Sequence, residues 1–169
     1  QKAIVTMAPN PRKVKRQQQI RIFNALIEFC AIFARSPKLQ PISNFLLRRL
    51  ADLTFSLRKG QRQNDLAGLA KEWQRMFPSR AFVPIKQVTP ETAYAEIHGT
   101  CPVTASGDVH ACHRLMEYDR QLLKKMGGQF VVLDSKADPT IPICRVAMRM
   151  KEQSLDGLTP AHLKSPLEE

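Results

Sequence analysis

The sequence predicts an α+β protein, helical through its first half and sheet-containing after about residue 80. Two observations carry this. Apolar residues recur with a helical period up to Pro78, and beyond it the period shifts toward two, with β-branched residues bounded by Pro, Gly and Asp. A chain of 169 residues that is 43% hydrophobic can bury a core of its own, which fits one domain over 17–150.

The elements follow in order. Residues 1–16, with Arg12-Lys13-Val14-Lys15-Arg16 as the densest run of charge, read as a basic flexible arm. Residues 17–35 place Ile20, Phe23, Ile27 and Cys30, then Ile22, Leu26, Phe29 and Phe33, on a broad apolar stripe, the mark of a core helix. Ser43 has the character of an N-cap, with Ile42 and Leu47 as a hydrophobic staple, for a helix that runs to about Arg58 and stops at Gly60. A third helix from about Asp65 turns Leu66, Leu69, Trp73 and Phe77 inward and ends at Pro78.

In the second half, 81–88, 92–98, 129–135 and 141–150 read as strands of an antiparallel sheet. One helix is inserted, from about Val109 to Met126, with Gly127-Gly128 as a left-handed exit. Residues 151–169 hold Pro160 and Pro166 with little periodicity and read as a surface tail.

Charge divides the chain at the same place. Residues 1–80 carry 16 Lys and Arg against 4 Asp and Glu, a net +12, whereas 81–169 carry 10 against 11. Such asymmetry suggests an anionic partner for the helical half: an acidic protein, nucleic acid or a lipid surface. Base-specific nucleic-acid recognition is disfavoured by the scarcity of stacking aromatics, two Tyr and one Trp. The most apolar run, 20–33, is broken by Arg21, Asn24 and Glu28 and is too short for a membrane span, so a soluble protein is expected. Gln1 is not an initiating residue, which makes it a processing point or a cut end, with Met7 as another start. Four cysteines in a chain of this size, one inside a helical pattern, favour free thiols in a reducing compartment, cytoplasm or organelle matrix.

Reactive side chains concentrate between His98 and Arg149, which holds three of the four cysteines and three of the four histidines. On the inserted helix Cys112, Met116, Asp119, Leu123 and Met126 share one stripe. A carboxylate among core residues needs a hydrogen bond, a cation such as Arg145, or a polar cavity. On the last strand Cys144, Val146, Met148 and Met150 alternate onto the more apolar face, which should meet the helices. Cys112 and Cys144 can then approach each other, with Cys101 where a strand leaves into the Cys101-Pro102 turn. These positions outline a small-molecule pocket between helix and sheet, with Met116, Cys144, His113 and Arg145 as ligand-binding residues. Catalysis in it would use Cys112 or Cys101 as nucleophile and Asp119 or a histidine as base, Cys112 being favoured by its place near a helix start.

A metal site would draw on Cys101, Cys112, Cys144, His98 and His110, as zinc or an iron–sulfur cluster. The signal is weak, because no Cys-x-x-Cys pair is present and His113 diverges from Cys112 by about 100° on a regular helix. Phosphate-loop, nucleophile-elbow and dinucleotide motifs are absent.

Over about residues 95–150, the order Cys101-Pro102, Cys112, Asp119, Gly127-Gly128, a hydrophobic strand and Cys144-Arg145 resembles the L-2-amino-thiazoline-4-carboxylate hydrolase-like family. It is distantly similar to vinyl-4-reductase-type small-molecule-binding domains. The resemblance implies an α+β domain and, for the hydrolase-like group, opening of a cyclic C–N bond in a small cysteine-like heterocycle. The family pattern places a further helix cysteine three residues before the aspartate, where this chain has Met116.

Overall fold

The computed structural model describes residues 11–164. Its order is helix α1 (Pro11–Ala34), α2 (Gln40–Leu57), α3 (Leu66–Arg75), strands β1 (Ile85–Val88) and β2 (Ala93–Ile97), helices α4 (Val109–Leu115) and α5 (Glu117–Met126), and strands β3 (Gly128–Asp134) and β4 (Cys144–Met150). The strands form one antiparallel sheet in the order β1-β2-β4-β3. The α+β architecture with a helical first half is therefore as the sequence predicts.

Helix boundaries differ from expectation in three places. α1 begins at Pro11, so 11–16, read as arm, are helical, and Arg16 donates to the Ser79 hydroxyl; residues 1–10 of the expected arm lie outside the described residues. Proline is well suited to a first helical turn, where its missing N–H is no loss. α2 begins at Gln40, with Pro41 in its first turn, rather than at Ser43. Ser43 is instead fully buried within the helix, and its Oγ has no hydrogen-bond partner. Asp65 does cap α3, accepting from the Gly68 N–H at 2.8 Å.

The third difference shapes the site. The inserted helix is two segments that meet at Met116, whose backbone (φ −72°, ψ 6°) closes α4 and opens α5. The break leaves the predicted stripe inside, with Cys112, Met116, Asp119, Leu123 and Met126 all buried. α5 ends on Gly127 in the left-handed region at φ 92°, and β3 follows at once. Gly128 is needed for space: a Cβ there would stand 2.4 Å from Leu69 Cδ2.

The core lies between sheet and helices. Val146 and Met148 of β4 and Phe130 and Val132 of β3 join Leu69, Trp73, Leu123 and Met126 in one cluster, so the apolar face of β4 points as expected. On the opposite face Arg145 pairs with Asp134, which also accepts from Lys164 at 2.7 Å. That contact, with Gln129 Nε2 donating to three carbonyls of 150–153, ties the largely exposed segment after β4 to the sheet, over residues expected as a surface tail. Residues 165–169 lie outside the described residues.

Candidate functional site

The structure separates the predicted site residues into four groups. Arg145 is turned to the far face of the sheet and bonded to Asp134, so it neither pairs with Asp119 nor meets a ligand from the helix side. Alternation along β4 is the reason: with Val146 inward, its neighbours must point outward. His98 is exposed at the end of β2, and its Nε2 sits 2.7 Å from Glu96 Oε2. The Glu96 carboxyl is held below its ordinary range by His98, with a smaller contribution from Lys86.

His110 and His113 form the second group. They face His162 of the closing 3-10 turn (Ala161–Leu163), with ring centroids 5.9 and 3.7 Å away respectively. Burial, then the Arg120 guanidinium, push His113 down to about 4, and His162 is shifted the same way by burial and His110. His113 thus packs against the 161–163 turn and does not line the cleft described below.

Cys112 and Cys144 form the third group. Both are 1% exposed. The backbone N–H of Lys136 donates to Cys144 Sγ at 3.2 Å. Burial pushes the Cys112 thiol up to about 12, opposed by a hydrogen bond from Ser135 and reinforced by Cys144 and Cys101; burial likewise raises Cys144. A buried thiol shifted in that direction is held as the protonated form, which does not favour the nucleophilic role that its helix position suggests. Desolvation outweighs a helix terminus here.

Among the described residues, no group of three or more His, Cys, Asp and Glu side chains is placed to hold a metal ion. The expected zinc or iron–sulfur set of Cys101, Cys112, Cys144, His98 and His110 is therefore not assembled, because the histidines are engaged by Glu96 and His162. All four cysteines are free.

Asp119, Cys101 and Met116 make up the fourth group, and they share a cleft. It is small, with a cavity volume of about 70 Å³, and its walls are mainly apolar: Phe23 and Ile27 of α1, Phe77, Phe82, Ile97 and Leu115. Asn24, Thr100, Tyr118 and the 99–102 loop add a few polar groups. Cys144 and Cys112 do not line it, so the predicted helix–sheet pocket is displaced toward α1. Met116 lines the cleft at the helix break, and Cys101 is the half-buried thiol at its edge.

Asp119 is the chemically unusual group. It is 6% exposed, and Trp73 Nε1–H donates to its Oδ1 at 2.9 Å. Burial raises its carboxyl to about 6 despite that hydrogen bond and the more distant Arg120. Perturbed acids in clefts are candidates for binding or proton transfer. Sequence reasoning missed the α1 wall and Trp73. The α1 residues show only a core pattern, but the lone Trp on an apolar face did carry a signal, since a buried indole N–H needs an acceptor. The chain matches no family model, no curated protein and no solved structure.

Proposed function

We propose that this chain binds a small, largely apolar molecule in the cleft between α1 and the α4–α5 junction, with a cationic or hydrogen-bond-donating group directed at Asp119. The observation that carries this reading is a carboxylate kept inside an apolar cleft, with a pKa raised to about 6. Left unliganded, such a group is a liability to the fold; a donor on the ligand offsets its desolvation.

Aromatic amines paired with their neutral analogues, tryptamine against indole first, test it. At about ten times its Kd a ligand adds about 1.4 kcal/mol, and the melting temperature of a domain of this size should rise by about 3 to 6 °C. The amine is expected to shift melting more than the neutral ring. Asp119→Asn should remove that preference, and Met116→Trp, filling the cleft, should remove both shifts. Equal response of wild type and both variants would refute the cleft as the site.

A second reading is supported by the presence of Cys101 and Asp119 on the same cleft. It is a cysteine-dependent, hydrolase-like activity on a small cyclic C–N substrate, as the family resemblance implies. Cys101 would supply the sulfur and Asp119 the base; Cys112 has no part in it. Iodoacetamide at neutral pH is expected to label Cys101 at least about tenfold faster than Cys30, Cys112 and Cys144, whose burial shields them. Uniformly slow labelling would count against a nucleophilic Cys101.

No described helix is long and apolar enough to cross a membrane.

A further inference from the structure

The helical half presents an apolar surface that its own fold leaves open. On α1, Ile22, Leu26, Phe29 and Ile32 are 62, 41, 52 and 63% exposed. On α2, Ile42, Phe45, Leu53 and Leu57 are 47, 57, 55 and 74% exposed. These are not scattered side chains. Ile22, Leu26, Phe29 and the half-buried Phe33 follow steps of four, three and four, and the exposed Ile42, Phe45, Arg49 and Leu53 follow steps of three, four and four. That spacing lays a seam along one side of a helix, and α1 and α2 are in contact. The inward residues Phe23, Ile27 and Cys30 belong to the core or pack against it, so each helix is apolar on two sides. A helix of this kind is expected to be covered on both.

The area involved is large. At about 200 Å² for each large apolar residue, the exposed fractions amount to roughly 900 Å². The largest apolar patch on an ordinary monomer is about 300–600 Å², and each partner in a stable protein interface contributes about 800 Å².

The charge distribution selects the occupant. The arginines expected to greet an anionic partner are mostly turned to the protein itself. Arg16 donates to Ser79, Arg35 to the Pro102 carbonyl at 2.9 Å, and Arg58 to the carbonyls of Arg75 and Phe77 at 3.0 and 3.2 Å. Arg48 pairs with Glu117 at 2.6 Å. Within the seams the one cation is Arg49, and it lies over the Phe45 ring at 5.3 Å. The seams themselves offer hydrocarbon and one cation, which suits an equally apolar protein surface better than phosphates or lipid headgroups.

We propose that the α1–α2 face is a homodimer interface, on which the same two helices of a second copy pack with their seams facing, four helices in all, about a two-fold axis. A closed isologous contact covers every seam residue on both copies and leaves no apolar edge open. It leaves the cleft wall free as well, since Phe23, Asn24 and Ile27 lie on the other flank of α1.

Sedimentation velocity and light scattering on the full chain, over roughly a hundredfold range of concentration, test the proposal. A reversible dimer is expected. Phe29→Glu with Leu53→Glu should weaken it at least about thirtyfold, as for the loss of a single strong interface contact. Both positions are exposed, so circular dichroism and melting of the variant at low concentration should match the wild type. Ile22→Lys with Leu57→Lys reverses the sign of the added charge and should act equally. A wild type that stays monomeric throughout would overturn the proposal, as would a dimer indifferent to both variants. Binding to phosphatidylserine vesicles by a monomeric wild type would assign the face to a lipid surface and also overturn it.

Discussion

Trp73→Ala is expected to lower the free energy of unfolding by about 3–5 kcal/mol, the range for removing a large aromatic from a core. Two losses coincide at this position. The indole is completely buried and packs edge-on against Phe77, with ring centroids 5.2 Å apart, and at 5.8 Å against Phe130 of β3. Truncation opens a cavity where α3 meets the sheet. It also strips Asp119 of its indole N–H donor, leaving a buried carboxylate with less compensation, which by itself costs about 1–3 kcal/mol. Trp73→Phe separates the two, because it keeps most of the ring contact and loses only the donor. That variant should cost about 1–3 kcal/mol and raise the Asp119 pKa further. Urea unfolding with an unchanged slope reads both values. A Trp73→Ala protein within about 1 kcal/mol of wild type would mean that the Trp73–Asp119 contact does not organise the interior. Domains of this kind have about 5–15 kcal/mol in total, so the alanine variant should be marginal at physiological temperature.

What was legible in the sequence, and what was not, follows from the range over which each signal acts. Elements were readable because period and punctuation are local. Asp65 caps α3, Gly127 ends α5 in the left-handed region, and the alternation of β4 sends Val146 and Met148 to the core. Ser43 misled because the capping preference is also local. Its hydroxyl could have served a helix start, but Pro41 permits an earlier one and tertiary burial takes Ser43 inside. The burial of Cys112 and Cys144 was foreseeable from their places on apolar faces of the inserted helix and of β4. Their reactivity was not. Whether a thiol near a helix start is activated or silenced depends on how much water reaches it, and that depends on the loop at 135–137, distant in sequence from Cys112.

The cleft was harder still. Its far wall is α1, about 90 residues before Asp119 in sequence, and nothing in the α1 pattern distinguishes a residue facing a cleft from one facing solid core. The argument for an anionic partner weakens at the same level in a different way. Composition counts the arginines of 1–80, but only the fold reveals that Arg35, Arg48 and Arg58 are bonded to the domain they belong to.

Asp119→Asn is expected to make the protein more stable at pH 7 to 8 and to change how its stability depends on pH. The folded-state pKa is raised, from 3.8 to about 6. Between those values the folded chain holds a proton that the unfolded chain has released. The stabilising contribution is therefore complete below about pH 4 and lost as pH rises through 6. A shift of about two units corresponds to about 3 kcal/mol, and Asp119 is buried enough that little of this is screened by solvent. Asparagine keeps an oxygen for Trp73 and has no proton to lose. The stability difference between variant and wild type should accordingly change by about 3 kcal/mol in the variant's favour from pH 4 to pH 8. Using the difference cancels carboxyls whose pKa is lowered, such as Asp52, Glu72 and Asp134, since they titrate equally in both proteins. A flat difference across that range would mean that Asp119 reaches water in solution, and the argument from its burial would go with it. If the slope is as expected, the same titration repeated with a bound amine should flatten it. The cation favours the charged form, so the folded-state pKa should fall back toward the ordinary carboxylate value and the loss of stability between about pH 4 and pH 6 should shrink. That coupling ties an exchangeable proton on Asp119 to occupancy of the cleft, which a purely structural carboxylate would not display.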